Sequence, residues 1–201
     1  LNEGTSDIFG TMVEYYANNA SDTPDYLIGE KLYNTPGSAL RYMIKPSQDG
    51  VSADCWYAGV GNLDVHYSSG IYNKAFYTLA TKPGWNTQKA FQVFARANDL
   101  YWTASTDFNQ GVCGVQTAAS NLGYAVADVT AAFSTVGAAC GGGGGGGTPP
   151  TITSFLCPDY SNSGGGMYWC EVAYSSATPA TVTWPSGAHT LTYRGRCTTG
   201  S

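Results

Sequence analysis

Glu3, Asp7 and Glu14 stand four and seven residues apart, a spacing that projects three carboxylates from one face of a helix. Three acids on one stripe repel unless cations or hydrogen bonds compensate them. The alternative is a solvated acidic face beside a helix N-terminus, where the dipole favours carboxylates. Ile8, Phe9 and Met12 fill the other faces, which predicts a largely buried helix. Asp64 and His66 precede a second helical run, where a lone histidine ordinarily caps a helix or sits as a buried polar group. Arg41, taken alone, reads as a surface ion-pairing residue, and Leu40, Ile28 and Leu32 as ordinary core. His66 and His189 are the only histidines, so no HExxH motif is present, and none of the six cysteines has the CxxC or Cys/His spacing of a structural zinc site.

The order of residues adds what spacing leaves open. Asn2-Glu3-x-x-Ser6-Asp7-Ile8-Phe9-Gly10 resembles the segment that follows the HExxH helix in thermolysin-like zinc metalloendopeptidases. The resemblance implies that Glu3 is the third zinc ligand and that Asp7 hydrogen-bonds a zinc-binding histidine. A hydrolytic zinc needs three protein ligands and one open position, and a carboxylate behind an imidazole fixes its tautomer. Asn62-Leu63-Asp64-Val65-His66-Tyr67-Ser68-Ser69-Gly70-Ile71-Tyr72-Asn73-Lys74-Ala75-Phe76 also resembles the family, which makes His66 the donor to the oxyanion of the scissile carbonyl and Asp64 the residue that orients it. Gly37-Ser38-Ala39-Leu40-Arg41-Tyr42-Met43 does the same for substrate binding. There Arg41 would hold a substrate carbonyl, and Leu40, with Ile28 and Leu32, would line the pocket for a bulky apolar side chain after the scissile bond. Family members also bind structural calcium, which would fall here on Glu14, Asp25, the Leu27 carbonyl and Glu30, with further oxygens from elsewhere. On types alone these are exposed acids. The resemblance runs over residues 1–140 and is nearest to the elastase-like and vibriolysin-like branch, which implies a disulfide between Cys113 and Cys140.

Helical periodicity covers Leu1 to Asn19, His66 to Thr81, Asn86 to Thr103, Asn109 to Leu122 and Ala125 to Val136, with Asn86 and either Asp107 or Asn109 as caps. The glycine run Gly141 to Gly147, followed by Thr148-Pro149-Pro150, reads as a linker over 141–150. Beyond it, β-rich runs at 151–156, 167–174, 181–184 and 190–194 alternate with turn residues. The expected fold is therefore mainly α: the C-terminal helical domain of a thermolysin-like protease over 1–140, linked to a partial immunoglobulin-like β-sandwich over 151–201. Missing strands at one end and a missing HExxH at the other make the chain, by expectation, a piece of a longer protein.

With Lys+Arg 9 against Asp+Glu 14, a net charge of −5 and no basic cluster, nucleic acid is excluded as a partner. Apolar stretches are interrupted well short of the roughly 20 residues a spanning helix needs, so no membrane partner is expected. Few charges, abundant small polar residues and scattered cysteines point to a secreted, extracellular protein. The expected function is part of a zinc- and calcium-binding hydrolase that cleaves protein or peptide substrates, with an N-terminal half carrying HExxH as its partner and this chain inactive by itself. The alternative is a non-catalytic binding or structural fragment whose β-domain attaches to a surface.

Overall fold

The computed structural model describes residues 1–141 and four strands beyond them, 152–156, 171–174, 181–184 and 187–190. Helix α1 (Asn2–Ala17) ends where Asn18 takes the left-handed conformation (φ 41°) and returns its N–H to the Glu14 carbonyl, a stop that asparagine tolerates better than other side chains. Strands β1 (Leu27–Ile28) and β2 (Arg41–Tyr42) pair antiparallel, Leu27 with Tyr42 and Ile28 with Arg41. A short turn of helix, α2 (Val65–Ser68), leads into α3 (Gly70–Ala80). Helix α4 (Thr87–Leu100) starts at Asn86, whose side chain accepts the Lys89 N–H. Helix α5 (Phe108–Asn121) starts at a capping box in which Asp107 and Gln110 each satisfy the other's backbone N–H. Helix α6 (Val126–Ser134) follows.

The predicted mainly helical architecture is present, and α3 is its centre. Ile71, Tyr72, Asn73, Ala75, Phe76, Leu79 and Ala80 are all buried, the pattern of a helix enclosed on most sides, and α1, α4 and α6 pack against it. Tyr72 meets Phe94, Trp102 and Phe133 edge-on, and Phe76 meets Phe94 at 5.5 Å. Such geometries suit the ring quadrupole and add about 0.5–1.5 kcal/mol per pair beyond burial. The loop between β2 and α2 is fastened over the start of α3, with the Ser47 N–H and Oγ–H donating to the buried Asp54 carboxylate and the Trp56 N–H donating to the Val136 carbonyl. Cys113, on α5, is disulfide-bonded to Cys140 beyond α6, Cα atoms 4.6 Å apart, as the resemblance implies.

Two expectations change. Helix α1 is not largely buried, since Phe9, Val13 and Tyr16 are exposed at 40%, 65% and 86%. Its buried face is Gly4, Asp7, Ile8 and Thr11, so the acidic stripe lies along the inward side and aromatic residues face out. The single helix expected at 66–81 divides at Ser69, whose Oγ–H donates back to the His66 carbonyl. Of the two candidate caps, Asp107 is the one that starts α5. Apart from Thr190, the β-run expected at 190–194 lies outside the described residues, and a described strand stands at Gly187–Thr190. Beyond residue 141, β3 (Ile152–Leu156) pairs with β4 (Glu171–Tyr174) and β5 (Thr181–Trp184) with β6 (Gly187–Thr190), each antiparallel. Apart from Gly141, the expected linker at 141–150 lies outside the described residues.

Candidate functional site

Asp64 is the N-cap of α2, and one oxygen does two tasks. Its Oδ1 accepts the His66 backbone N–H at 2.9 Å and meets the His66 ring at Nδ1, 2.7 Å away. A carboxylate can only accept, so Nδ1 carries a proton and the ring is fixed in orientation. The two contacts from His66, the backbone N–H first, hold the Asp64 carboxyl below its ordinary range. With Nδ1 occupied in this way, Nε2 can donate only when the ring is an imidazolium. Nε2 lies 3.6 Å from Glu3 Oε2, contributed by the first turn of α1. Residues 3, 64 and 66 are thus brought together from two elements.

One helical turn beyond Glu3, Asp7 is buried at 4% exposure. Its Oδ1 accepts Arg41 Nη2–H at 2.6 Å, and its Oδ2 accepts Arg41 Nε–H and Asn73 Nδ2–H, each at 2.7 Å. Hydrogen bonding to Asp7 raises the Arg41 pKa above its ordinary value, against the effect of burial. Three of roughly four acceptor positions on the carboxylate are used, which leaves one on Oδ1. Arg41 spends two of its five N–H donors and keeps the others for a further acceptor. Asn73 stands in the motif from Asn62 to Phe76 but is given no role by the expectations from sequence. The available signal was an amide set among Ile71, Tyr72, Ala75 and Phe76.

Ile28, Leu32 and Leu40 gather beside Arg41. The Leu40 N–H donates to the Ile28 carbonyl at 2.8 Å, and Leu32 and Leu40 both approach to 3.3 Å of the point where a Cβ on Gly29 would stand. Gly29 has φ +72°, a conformation that glycine adopts without penalty. Leu40 and Leu32 are nevertheless 45% and 78% exposed and form an open apolar shelf, while Ile28 is half-buried and packs against the core.

Glu14, Asp25 and Glu30 place carboxylate oxygens within 4.8 Å of one another. Burial, with Asp25, Glu30 and Asp22 nearby, pushes Glu14 from its ordinary 4.5 to about 7, and Glu30 is likewise raised, first by burial. Glu14 Oε1 is buried without a hydrogen-bond partner. The Tyr26 and Ile28 carbonyls accept from Met43 and Leu40 on the β2 side, so strand alternation turns the Leu27 carbonyl the other way. An all-oxygen set with an orphaned carboxylate oxygen fits a hard cation such as calcium. Zinc fits less completely, because among the described residues Glu3 belongs to no group of three or more clustered donors.

Residues 1–138 match the family described as thermolysin metallopeptidase, alpha-helical domain. The chain is 48% identical over 143 residues to a neutral protease of Vibrio proteolyticus, covering 70% of this chain and 23% of that protein. It is 48% identical over 143 residues to a zinc metalloprotease of Helicobacter pylori, covering 70% and 54%, and 41% identical over 155 residues to bacillolysin of Bacillus cereus, covering 68% and 27%. The chain thus spans about a quarter to a half of the length of these relatives. It belongs to the thermolysin metallopeptidase family, and residues 1–138 are that family's α-helical domain.

Proposed function

We propose that this chain supplies the substrate-facing, transition-state-binding portion of a secreted zinc endopeptidase whose HExxH half completes the site. The observation that carries this reading is His66, clamped by Asp64 on one ring nitrogen and turned toward Glu3 with the other. Zinc, held by Glu3 together with two histidines of the other half, would supply an activated water. In this reading the imidazolium of His66 donates from Nε2 to the negative oxygen that develops on the scissile carbonyl. That interaction strengthens as the transition state forms. Arg41, pinned by Asp7, offers its remaining N–H groups to a substrate carbonyl. The acceptor position left on Asp7 Oδ1 suits the N–H of a metal-binding histidine. The Leu32 and Leu40 shelf, with Ile28 beside it, supports a preference for a bulky apolar residue after the scissile bond, and Glu14, Asp25, Glu30 and the Leu27 carbonyl a structural calcium. The Cys113–Cys140 disulfide supports an oxidising, extracellular location. Among the described residues no helix is long and apolar enough to cross a membrane. The two antiparallel strand pairs beyond residue 151 support reading 151–201 as part of a β-sandwich joined through 141–150.

In the complete protease, Glu3→Ala should lose zinc and activity together. His66→Ala should keep stoichiometric zinc while turnover falls by about two to three orders of magnitude, the scale for removing one oxyanion donor. Zinc content by elemental analysis beside peptide-hydrolysis kinetics separates the two roles. Full turnover in His66→Ala, or undiminished zinc in Glu3→Ala, would overturn the assignment.

A further inference from the structure

We infer that Asn73 is a positioning residue: from the central helix it fixes the Asp7 carboxylate and, through Asp7, the Arg41 guanidinium, an inference that rests on the proposed substrate-binding role of Arg41. Asn73 is 1% exposed in the middle of α3, on a helix that also buries Ile71, Tyr72, Ala75 and Phe76. Its Nδ2–H donates to Asp7 Oδ2 at 2.7 Å, joining positions 66 residues apart. Its Oδ1 is buried without a partner, 3.4 Å from the point where a Cβ on Gly4 would stand. The amide is therefore aimed by its donor alone. Turned over, it would set an oxygen against a carboxylate oxygen, two acceptors with no proton between them.

Asp7 needs such a second tether. Arg41 is a long, rotamer-rich side chain on a two-residue strand, and a fork on a flexible stem follows its carboxylate wherever that carboxylate turns. Asn73 has a short side chain on a helix whose backbone is locked in the core. By sharing Oδ2 with Arg41 Nε, it pins the carboxylate plane and so the direction in which the remaining guanidinium N–H groups point. Its backbone N–H donates to the Ser69 carbonyl, and Ser69 Oγ–H donates to the His66 carbonyl. The turn that carries Asn73 thus continues from the one that carries His66. One amide registers α1, with Glu3 and Asp7, against the helix that follows His66.

The first test uses the full chain with arginine labelled in nitrogen-15. Asn73→Leu keeps the approximate volume and removes the donor. Exchange of the Arg41 Nε–H with solvent should quicken by about tenfold or more, while the amides of Leu79 and Val112 keep their protection. Should Asn73→Leu fail to fold, Asn73→Ser, too short to reach Asp7, reads the same resonance. Unchanged Arg41 Nε–H exchange in whichever variant folds overturns the inference. So does failure of both to fold, which would make Asn73 a purely structural residue. The second test uses the complete protease. Asn73→Leu should lower kcat/KM by about tenfold with Arg41 present and by less than about twofold in an Arg41→Ala background, because residues acting as a unit are not additive. Equal losses in the two backgrounds overturn the inference. If Arg41→Ala alone leaves kcat/KM at the parent value, the substrate role of Arg41 fails, and the exchange measurement still decides whether Asn73 positions it.

Discussion

Glu14 carries a proton balance that a bound cation would reverse. Folding raises its carboxyl from 4.5 to about 7, by burial first and by the surrounding acids second. Between those values the folded chain binds more protons than the unfolded one, so this group makes stability fall as pH rises from about 4.5 through about 7. Without divalent cations the thermal midpoint should decline across that window, and Glu14→Gln should flatten the decline. Calcium at about 1 mM should raise the midpoint more at pH 7.5 than at pH 5, because oxygen ligands must be ionised to bind it well. Thermal melts with chelator and with calcium at both pH values check this, and equal calcium shifts at the two would count against a cation at Glu14, Asp25 and Glu30. These acids could be named in advance from the wording of the sequence. The link from Asn73 to Asp7 could not, because its two ends are 66 residues apart and meet only when helices cross. Arg41 was legible as a functional candidate and its tie to Asp7 was not, for the same reason.

At the scale of elements, start signals were legible where side chains bond their own backbone, as at Asn86 and in the Asp107 and Gln110 box. The break at Ser69 was not, since every residue from Val65 to Ala80 is compatible with one helix. Tertiary contact constrains the next residue: Gly70 lies where the preceding loop crosses α3. A Cβ there would stand 2.6 Å from the Ala53 carbonyl oxygen and 2.6 Å from Pro46 Cβ, and both belong to the loop that leads to Asp64. An alanine would gain about 1 kcal/mol of helix propensity and would have to push backbone aside, an overpacking cost of about 1–3 kcal/mol. Because backbone is the obstacle, the cost wins. Gly70→Ala should lower the midpoint of urea unfolding and shift the resonances of Asp64 and His66. Stability equal to or above the parent would show that the loop yields freely. The outward-facing aromatics of α1 mark the other limit of pattern reading. Periodicity separates the faces of a helix, and only packing tells which face turns inward.

For the molecule as a whole, the proposed function makes the described surface one wall of a cleft. Leu40 immediately precedes Arg41 at the start of β2, Leu32 stands beside Leu40 across Gly29, and the exposed ring of His66 lies between Asp64 and Glu3. Peptide hydrolysis by metal-activated water asks for three protein ligands, an open coordination position and a general base. Among the described residues Glu3 has no such company, and the whole sequence holds only His66 and His189. One carboxylate cannot replace two imidazoles and a base, whatever the quality of the oxyanion donor beside it. The 201-residue chain, supplied with zinc and calcium, should therefore release no product from a peptide substrate above the buffer control, while retaining a cooperative thermal transition that proves it folded. Fluorogenic peptide hydrolysis with and without chelator, run beside the melt, makes the measurement. Chelator-sensitive hydrolysis by the folded chain alone would overturn the division of labour proposed here.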